Sequence, residues 1–233
     1  TPLFHAHAWG VPYAATMLGI KQVFPGRYSP DSLLALIKRE KVTFSHCVST
    51  LLHMMLTHPD SAEVDFRGVK FLIGGGALPR GLAKRALERG IDVVVGYGMS
   101  ETGPIQITGH MKTSELGGDP EREIDLRIRA GRAAFLCDVR TMDESMNTLP
   151  ADGKSNGEVV FRSPWLTQGY YNNPQTSEQL WRGGWMHSGD MGFFNPDGTL
   201  QICDRIKDVI KTGGEWGSSL DIENLISEVS GVS

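Results

Sequence analysis

Two hydroxyls and a carboxylate follow a predicted buried strand near the middle of the chain, in segment 96–102. The run before this segment is mostly β-branched, which indicates a strand, and glycines such as Gly98 permit a tight exit and a close backbone approach by a ligand. Glu101 is a hard oxygen donor for Mg²⁺, Thr102 could hydrogen-bond a phosphoryl oxygen, and Tyr97 offers a flat face to a base. The segment predicts a phosphate and metal site, with an ordinary strand-turn connection as the alternative.

A second glycine-rich loop, residues 74–79, follows another predicted strand and precedes a helix. Its amides could face a ligand, and the missing side chains at Gly75 and Gly76, next to Ala77, could admit a flat ring. Pro79 stands where a dinucleotide fingerprint would need its third glycine, and the chain has no G-x-x-x-x-G-K-[ST] motif. A structural turn is the alternative for this loop.

Asp190 and Arg205 could meet on one face of a predicted hairpin. The Asp190 carboxylate could accept two hydrogen bonds from the vicinal hydroxyls of a ribose, and Arg205 could add a donor for ribose or phosphate. The alternatives are a turn-forming aspartate and a surface arginine.

The first residues combine imidazoles with aromatic rings. His5 and His7 could form a metal pair, but no third ligand is indicated nearby, so core or pocket-lining histidines are favoured. Trp9 and the apolar residues after it could wall a hydrophobic tunnel or belong to a plain core. Near the other end, Gly213 and Gly214 predict either a moving element or a solvated loop.

The order of predicted elements indicates an α/β fold. Residues 42–48, 69–73 and 91–95 are predicted strands that alternate with helices, which is typical of a parallel sheet covered by helices. After about Glu123 the segments are short and alternating, with a hairpin turn at residues 196–198, so this half is predicted to be antiparallel. In parallel sheets ligands bind at the carboxyl ends of the strands, where both glycine loops lie.

Charge and cysteine content limit the possible partners. The chain has 233 residues with 23 basic and 27 acidic side chains and a net charge of −4. This balance gives no extended basic face of the kind that a nucleic-acid binder carries. Cys47, Cys137 and Cys203 are widely spaced among apolar neighbours, as thiols of a reducing compartment would be, which favours the cytoplasm. The uncharged, largely apolar segment at residues 8–20 is too short to span a bilayer, so no transmembrane segment is expected. Both chain ends are expected to be cut from something longer.

Taken together, these motifs resemble the adenylate-forming superfamily of acyl- and aryl-CoA synthetases, adenylation domains and luciferases. The matching segments occur in the superfamily's order: residues 2–5, 74–77, 97–102, 157–158, 187–190 and 204–215. Within the superfamily the likeness is greatest to medium- and long-chain fatty acyl-CoA synthetases, through residues 5–9, Lys207 and residues 214–219.

The resemblance implies a two-step reaction that uses ATP, Mg²⁺ and CoA. A fatty acid attacks the α-phosphate of ATP to give acyl-AMP and pyrophosphate, and the CoA thiol then displaces AMP. The implied catalytic residues are Glu101 with Mg²⁺, Thr102 at a phosphate and His5 near the carboxylate. The implied nucleotide residues are Gly76, Ala77 and Tyr97 around adenine, Asp190 and Arg205 on the ribose, and Gly75 and Gly98 elsewhere in the nucleotide site. Trp9 would line the acyl tunnel, Lys207 would be the hinge, and Gly213 and Gly214 would border the CoA channel.

The same resemblance implies that the chain is a central piece of the superfamily's large amino-terminal domain. Its expected parts are an α/β adenine- and acyl-binding subdomain at residues 1–122, a β-rich subdomain at 123–203, and a hinge with the start of a carboxy-terminal domain at 204–233. The phosphate-binding loop and the distal lysine that drives adenylation would lie outside the chain. A non-catalytic AMP- or acyl-binding homologue and an aryl-CoA synthetase or other adenylate-forming enzyme are the alternatives, and a homodimer is plausible by resemblance.

Overall fold

The first sheet is mixed, with parallel strands on one side and antiparallel strands on the other. The computed structural model describes residues 1–206, 210–212, 215–217 and 225–226. The strand order is β1-β2-β3-β4-β5, in which β1, β2 and β3 run parallel and β4 and β5 are antiparallel additions. The strands are β1 (Phe44–Cys47), β2 (Lys70–Ile73), β3 (Asp92–Gly98), β4 (Ile105–Thr108) and β5 (Arg132–Ala133). The predicted parallel sheet is therefore confirmed.

Helices cover this sheet where their buried apolar side chains join its core. In α2, for example, Leu34 and Ile37 are buried while the charged side chains of the same helix face outward. The α-helices are α1 (Val11–Met17), α2 (Pro30–Glu40), α3 (Ser49–Thr57), α4 (Arg80–Glu88), α5 (Pro120–Ile128) and α6 (Pro174–Leu180). The 3₁₀ turns are Ala6–Gly10, Pro59–Glu63, Ser100–Thr102, Thr113–Glu115 and Arg182–Gly184.

The second sheet has four antiparallel strands in the order β6-β7-β8-β9. Its strands are β6 (Asp138–Met142), β7 (Gly157–Arg162), β8 (Met186–Phe194) and β9 (Leu200–Arg205), and a separate pair is formed by β10 (Ile210–Thr212) and β11 (Glu215–Gly217). The predicted hairpin is present, because residues 195–199 connect β8 to β9. Buried Ile107 of the first sheet shares a core with Phe161 and Met186 of the second, so the two sheets pack together.

Several local predictions need correction. Although Ser49 is of a residue type that favours the cap position, it is the first residue of α3, and the cap is Val48. Glycine-containing residues 96–98 belong to β3 instead of a loop, because β4 pairs with them. The change of texture placed near Glu123 falls inside α5, and the first sheet continues to Ala133. The division into subdomains at residue 122 remains a prediction.

Within the part of the chain that the structure describes, no helix has the length and apolar character needed to cross a bilayer. The longest α-helix there is α2, with 11 residues. Most of the predicted hinge and carboxy-terminal segment, residues 207–209, 213–214, 218–224 and 227–233, lies outside the described residues.

Candidate nucleotide-binding site

The end of β3 is shaped by the turn that follows it. A side chain at Gly98 would collide with the backbone carbonyl of Pro104 and with the hydroxyl of Thr102, because the chain folds back into β4 at this point. At Gly96 a side chain would press against Leu72 of the neighbouring strand. The glycine at 98 is therefore required by the close approach of the chain's own backbone, whereas the sequence predicted approach by a ligand.

The two hydroxyls after β3 have different surroundings. Thr102 is fully buried, and its Oγ1 accepts a hydrogen bond from the Met99 amide at 2.9 Å and donates to backbone carbonyls, that of Pro104 included. Ser100, the first residue of the same 3₁₀ turn, is exposed. Contact between Thr102 and a phosphate would require this turn to open, whereas Ser100 presents its hydroxyl without any rearrangement.

Glu101 lies between these hydroxyls and is half-buried. Its carboxylate accepts a hydrogen bond from the Tyr170 hydroxyl at 2.8 Å, and its backbone carbonyl accepts one from the Thr167 amide at 2.9 Å. Burial, followed by the hydrogen bond to Glu101, raises the pKa of Tyr170 to about 12, so this phenol stays a donor. The second carboxylate oxygen keeps its acceptor capacity, which fits a Mg²⁺ ion that takes one protein carboxylate and completes its shell with phosphates and water.

A hydrogen bond joins the first sheet to the second at the predicted ribose site. The Tyr97 hydroxyl donates to Asp190 Oδ2 at 2.6 Å, and Arg205 is the register partner of Asp190 across β8 and β9. Arg205 Nε lies 3.7 Å from Asp190 Oδ1, with the arginine side chain 76% exposed and the aspartate 14% exposed. Asp190 lies within β8.

Burial dominates the electrostatics of this pair. It raises the pKa of Asp190, against the hydrogen bond from Tyr97 and the charge of Arg205, which favour the carboxylate. Burial and the neighbouring Asp190 also raise the pKa of Tyr97 well above its usual value, so the phenol remains a donor to the carboxylate. A buried acceptor with an exposed cation beside it is suited to a polyhydroxyl group that carries a nearby phosphate.

The loop after β2 is open on one side. Gly75 has a left-handed φ of +76°, and Gly76 has no heavy atom within 4 Å of where a side chain would begin. Gly75, Gly76 and Ala77 are all exposed, while Leu78 anchors the loop in the core. The arrangement leaves a flat backbone surface next to the carboxyl end of a parallel strand.

Trp9 packs against this loop from the amino-terminal segment. A Cβ atom at Gly74 would lie only 2.9 Å from the Trp9 ring. The centroid of the Trp9 ring is 5.0 Å from that of the His46 ring. A mostly apolar cavity of about 620 Å³ has Ala8 and His46 among its lining residues. Trp9 therefore stands between the cavity wall and the glycine loop, and His5 is exposed four residues earlier.

Backbone conformation sets the position of Trp9. Residues 6–9 all have positive φ, between 45° and 57°, an unusual run for residues other than glycine. His7 in this run pairs with the Tyr13 hydroxyl through Nδ1 at 2.6 Å. Among residues 1–206 and the short described stretches after them, no cluster of three His, Cys, Asp or Glu side chains could hold a metal ion. Lys207, Gly213 and Gly214 lie outside the described residues.

A sequence model of the family described as AMP-binding enzyme matches residues 1–171, which is well over half of the chain. The chain belongs to the AMP-binding enzyme family. The resemblance to adenylate-forming enzymes is thereby confirmed, and the matched region contains both glycine-containing segments, Glu101 and the amino-terminal segment with Trp9.

Relatives of this AMP-binding chain include acyl-CoA ligases. A long-chain-fatty-acid–CoA ligase of Thermus thermophilus is 39% identical over 228 residues, covering 97% of the chain and 42% of the relative. A medium-chain-fatty-acid–CoA ligase of Ectopseudomonas oleovorans is 30% identical over 227 residues, covering 96% and 41%. The fold matches O-succinylbenzoate coenzyme A synthetase from Bacillus subtilis in complex with AMP, at a TM-score of 0.78 and 26% identity over 99% of the chain and 45% of that structure. The chain thus spans less than half the length of these relatives.

Three features of the AMP-binding chain were not assigned from its sequence. They are the exposed hydroxyl of Ser100, the Tyr170 hydroxyl on Glu101, and a Glu158–His187 pair beside Asp190. Ser100 stood in the predicted segment as one of two hydroxyls, but only the fold shows which one is buried. Tyr170 is 69 positions from Glu101, and no local pattern links them.

Proposed function

We propose that the chain carries the adenosine-binding half of an AMP-forming fatty acyl-CoA synthetase. One observation carries this proposal: the hydrogen bond from Tyr97 to Asp190, 93 positions apart, with Arg205 opposite Asp190 in the sheet. It joins three separately predicted nucleotide residues at the junction of the two sheets. Acyl-CoA ligases among the relatives support this class of reaction.

In this proposal, adenosine lies along the junction between the sheets. The exposed backbone of Gly75, Gly76 and Ala77 flanks adenine on one side, and the Tyr97 ring flanks it on the other. Asp190 accepts hydrogen bonds from the ribose hydroxyls, because each carboxylate oxygen can accept more than one. Arg205 neutralises the adjoining phosphate from its exposed position.

The phosphates and Mg²⁺ are proposed to lie beside the turn after β3. Glu101 would hold Mg²⁺, which neutralises phosphate charge when bound, and Tyr170 fixes the orientation of its carboxylate. Ser100 supplies the phosphate hydrogen bond first predicted for Thr102, because its hydroxyl is exposed. Chemistry of this kind depends on positioning and charge neutralisation more than on a protein nucleophile.

The acyl group is proposed to enter beside Trp9. The mostly apolar cavity of about 620 Å³ is large enough for a fatty chain, and Trp9 separates its wall at His46 from the glycine loop. His5 would lie near the carboxylate that attacks the α-phosphate. CoA would then displace AMP, with Gly213 and Gly214 at its channel after movement about Lys207.

The setting of the enzyme is also a proposal. Cys47 and Cys137 are thiols, which supports a reducing compartment such as the cytoplasm. Apolar side chains exposed near the amino terminus, among them Phe4 at 90% and Met17 at 86%, support association with further protein, a homodimer included.

The test is fatty-acid-dependent ATP–pyrophosphate exchange, run on this chain and on the full-length protein that contains it, with acids from acetate to palmitate and with benzoate. AMP binding to the chain is measured by calorimetry in parallel. We expect exchange in the full-length protein alone, AMP binding by both, and preference for an aliphatic acid. A preference for benzoate would identify an aryl-CoA synthetase. AMP binding by the full-length protein without exchange would identify a non-catalytic homologue. The absence of both AMP binding and exchange would contradict the proposal.

A further inference from the structure

A buried ion pair lies next to Asp190 on the two central strands of the second sheet. His187 Nδ1 is 2.8 Å from Glu158 Oε2, and the side chains are only 10% and 17% exposed. The other Glu158 oxygen accepts a hydrogen bond from the Gly189 amide at 3.0 Å. The carboxylate of Glu158 thereby binds both the His187 side chain and the Gly189 backbone, on either side of Ser188.

The imidazole of His187 has acceptors on both sides. Its Nε2 faces the backbone carbonyl of Arg182 at 3.0 Å, while its Nδ1 faces Glu158. Both ring nitrogens can donate only in the imidazolium form. The hydrogen bond to Glu158 accordingly raises the pKa of His187, and the hydrogen bond from His187 lowers the pKa of Glu158 against its burial.

The backbone between this pair and Asp190 has little freedom. Gly189 has a left-handed φ of +73°, and its carbonyl accepts a hydrogen bond from the Ile206 amide at 2.9 Å. Ser188 Oγ donates to the Val159 carbonyl at 2.6 Å and accepts from the Asp190 amide at 3.0 Å. These contacts, together with Glu158 on the Gly189 amide, fix where the Asp190 carboxylate points.

We infer that Glu158 and His187 are positioning residues that hold Asp190 in the orientation needed to bind the ribose of the nucleotide. The inference rests on the proposed function, since it assigns Asp190 to the ribose. Glu158 and His187 act through Gly189, and neither needs to touch the ligand. Loss of either side chain should therefore weaken nucleotide binding while leaving the acyl side of the site unchanged.

The pair makes nucleotide binding depend on pH. The charged groups facing His187 are Glu158 across the strand pair, Arg182 from the preceding turn and, through Glu158, Asp190. As pH rises through the raised pKa of His187, the imidazolium loses its proton and one of its two donors. The KM for ATP should then increase, because Asp190 is less firmly oriented.

The experiment uses the full-length protein with three variants, Glu158→Gln, His187→Gln and His187→Arg, and measures kcat and KM for ATP and palmitate in the exchange assay between pH 5.5 and 9. Asp138→Asn is the matched control, because it removes an exposed ion pair with Arg140 in the same sheet. We expect the two glutamine variants to raise the KM for ATP about tenfold, the lower range for a charge-assisted hydrogen bond, with little change in the KM for palmitate. His187→Arg keeps a charged donor and should remove the alkaline rise in KM.

The outcomes separate the inference from the proposed function. If the wild type is active and Glu158→Gln has the same KM for ATP as Asp138→Asn, the inference alone is overturned. The same holds if the KM for ATP of His187→Arg still rises at alkaline pH. Wild-type protein without exchange or AMP binding would overturn both. If Glu158→Gln fails to fold, the comparison of His187→Gln with His187→Arg decides by the same criteria.

Discussion

Ser100 and Thr102 sit in one turn, yet their hydroxyls have opposite surroundings, one exposed and one fully buried. We expect Ser100→Ala to lower kcat/KM for ATP by a factor that corresponds to about 1.5–3 kcal/mol, because the proposed hydrogen bond to a charged phosphate is lost, with the melting temperature unchanged. Exchange kinetics and thermal unfolding measure the two effects. Unaltered kinetics would remove Ser100 from the phosphate site.

Thr102 should behave in the opposite way. Thr102→Ala leaves the Met99 amide without its acceptor, so we expect a loss of about 1–3 kcal/mol in the free energy of unfolding. Thr102→Ser keeps the hydroxyl and is the matched control. Urea denaturation of both variants checks this, and equal stability of the two would contradict the assigned role.

Asp190 and Tyr97 form one unit, but they should contribute unequally. Asp190→Ala removes the proposed ribose acceptor, and we expect AMP affinity to fall by about 1.5–3 kcal/mol. Tyr97→Phe keeps the ring that is proposed to lie beside adenine and loses only the hydrogen bond to Asp190, so its effect should be smaller. Calorimetry of AMP binding compares these variants with Asp152→Ala in an exposed turn, and a larger loss in Tyr97→Phe would reverse the assignment.

The Glu158–His187 pair also sets a pH window for stability. The raised pKa of His187 means that its stabilisation is complete below the ordinary value of 6.5 and is lost as pH rises through the folded value. The lowered pKa of Glu158 means that its stabilisation is complete above 4.5 and is lost as pH falls. We expect the pair to contribute most between these values. Melting temperatures of wild type and His187→Arg should diverge above pH 6.5, and parallel curves would disprove this.

Among the secondary-structure elements, α5 is fastened to β3 through a buried arginine. Arg127 is 6% exposed, and its guanidinium contacts Asp92, Glu123 and the Val93 carbonyl. Arg127→Ala should lower the free energy of unfolding by roughly 1.5–3 kcal/mol, toward the lower end because water still reaches both carboxylates. Arg122→Ala, exposed on the same helix, is the control in chemical denaturation. Equal losses would mean that the buried contacts contribute nothing.

The same helix shows where prediction from the sequence stops. β1, β2 and β3 were predictable because apolar β-branched runs and glycine ends are local signals, and the hairpin at residues 195–199 carries its turn signal in its own residues. α5 was missed because it contains five charged residues out of nine, and one of its buried side chains is an arginine. Burial of this arginine, Arg127, depends on its contact with Asp92, 35 positions away.

Some features of the candidate site were also predictable from local sequence, whereas others depend on tertiary packing. The carboxylates and glycines that define it were recognisable by residue type, and Asp190 and Arg205 were correctly predicted to meet because a single hairpin connects their strands. The direction of a hydroxyl could not be predicted from the sequence, since Thr102 is buried by a turn that folds back through Pro104. Contacts such as that of Tyr170 with Glu101 arise only from tertiary packing.

On the scale of the whole molecule, the two sheets should unfold together. Phe161 is fully buried in the core that also contains Ile107, and its ring centroid is 6.0 Å from that of Tyr97. Phe161→Ala should cost about 3–5 kcal/mol and weaken AMP binding through Tyr97. Hydrogen exchange should show β3 and β7 losing protection at the same denaturant concentration. Loss confined to β7 would show that the sheets are independent.

The steric demand at Gly98 bears on how related sequences can diverge. A glycine is needed there because the backbone at Pro104 leaves no room for a side chain, whether or not a nucleotide is ever bound. A homologue without catalytic activity should therefore keep this glycine while the residues equivalent to Asp190, Glu101 and Ser100 change. Searches keyed on the glycine would collect active enzymes and pseudoenzymes alike, and the polar side chains around it are the positions that distinguish them.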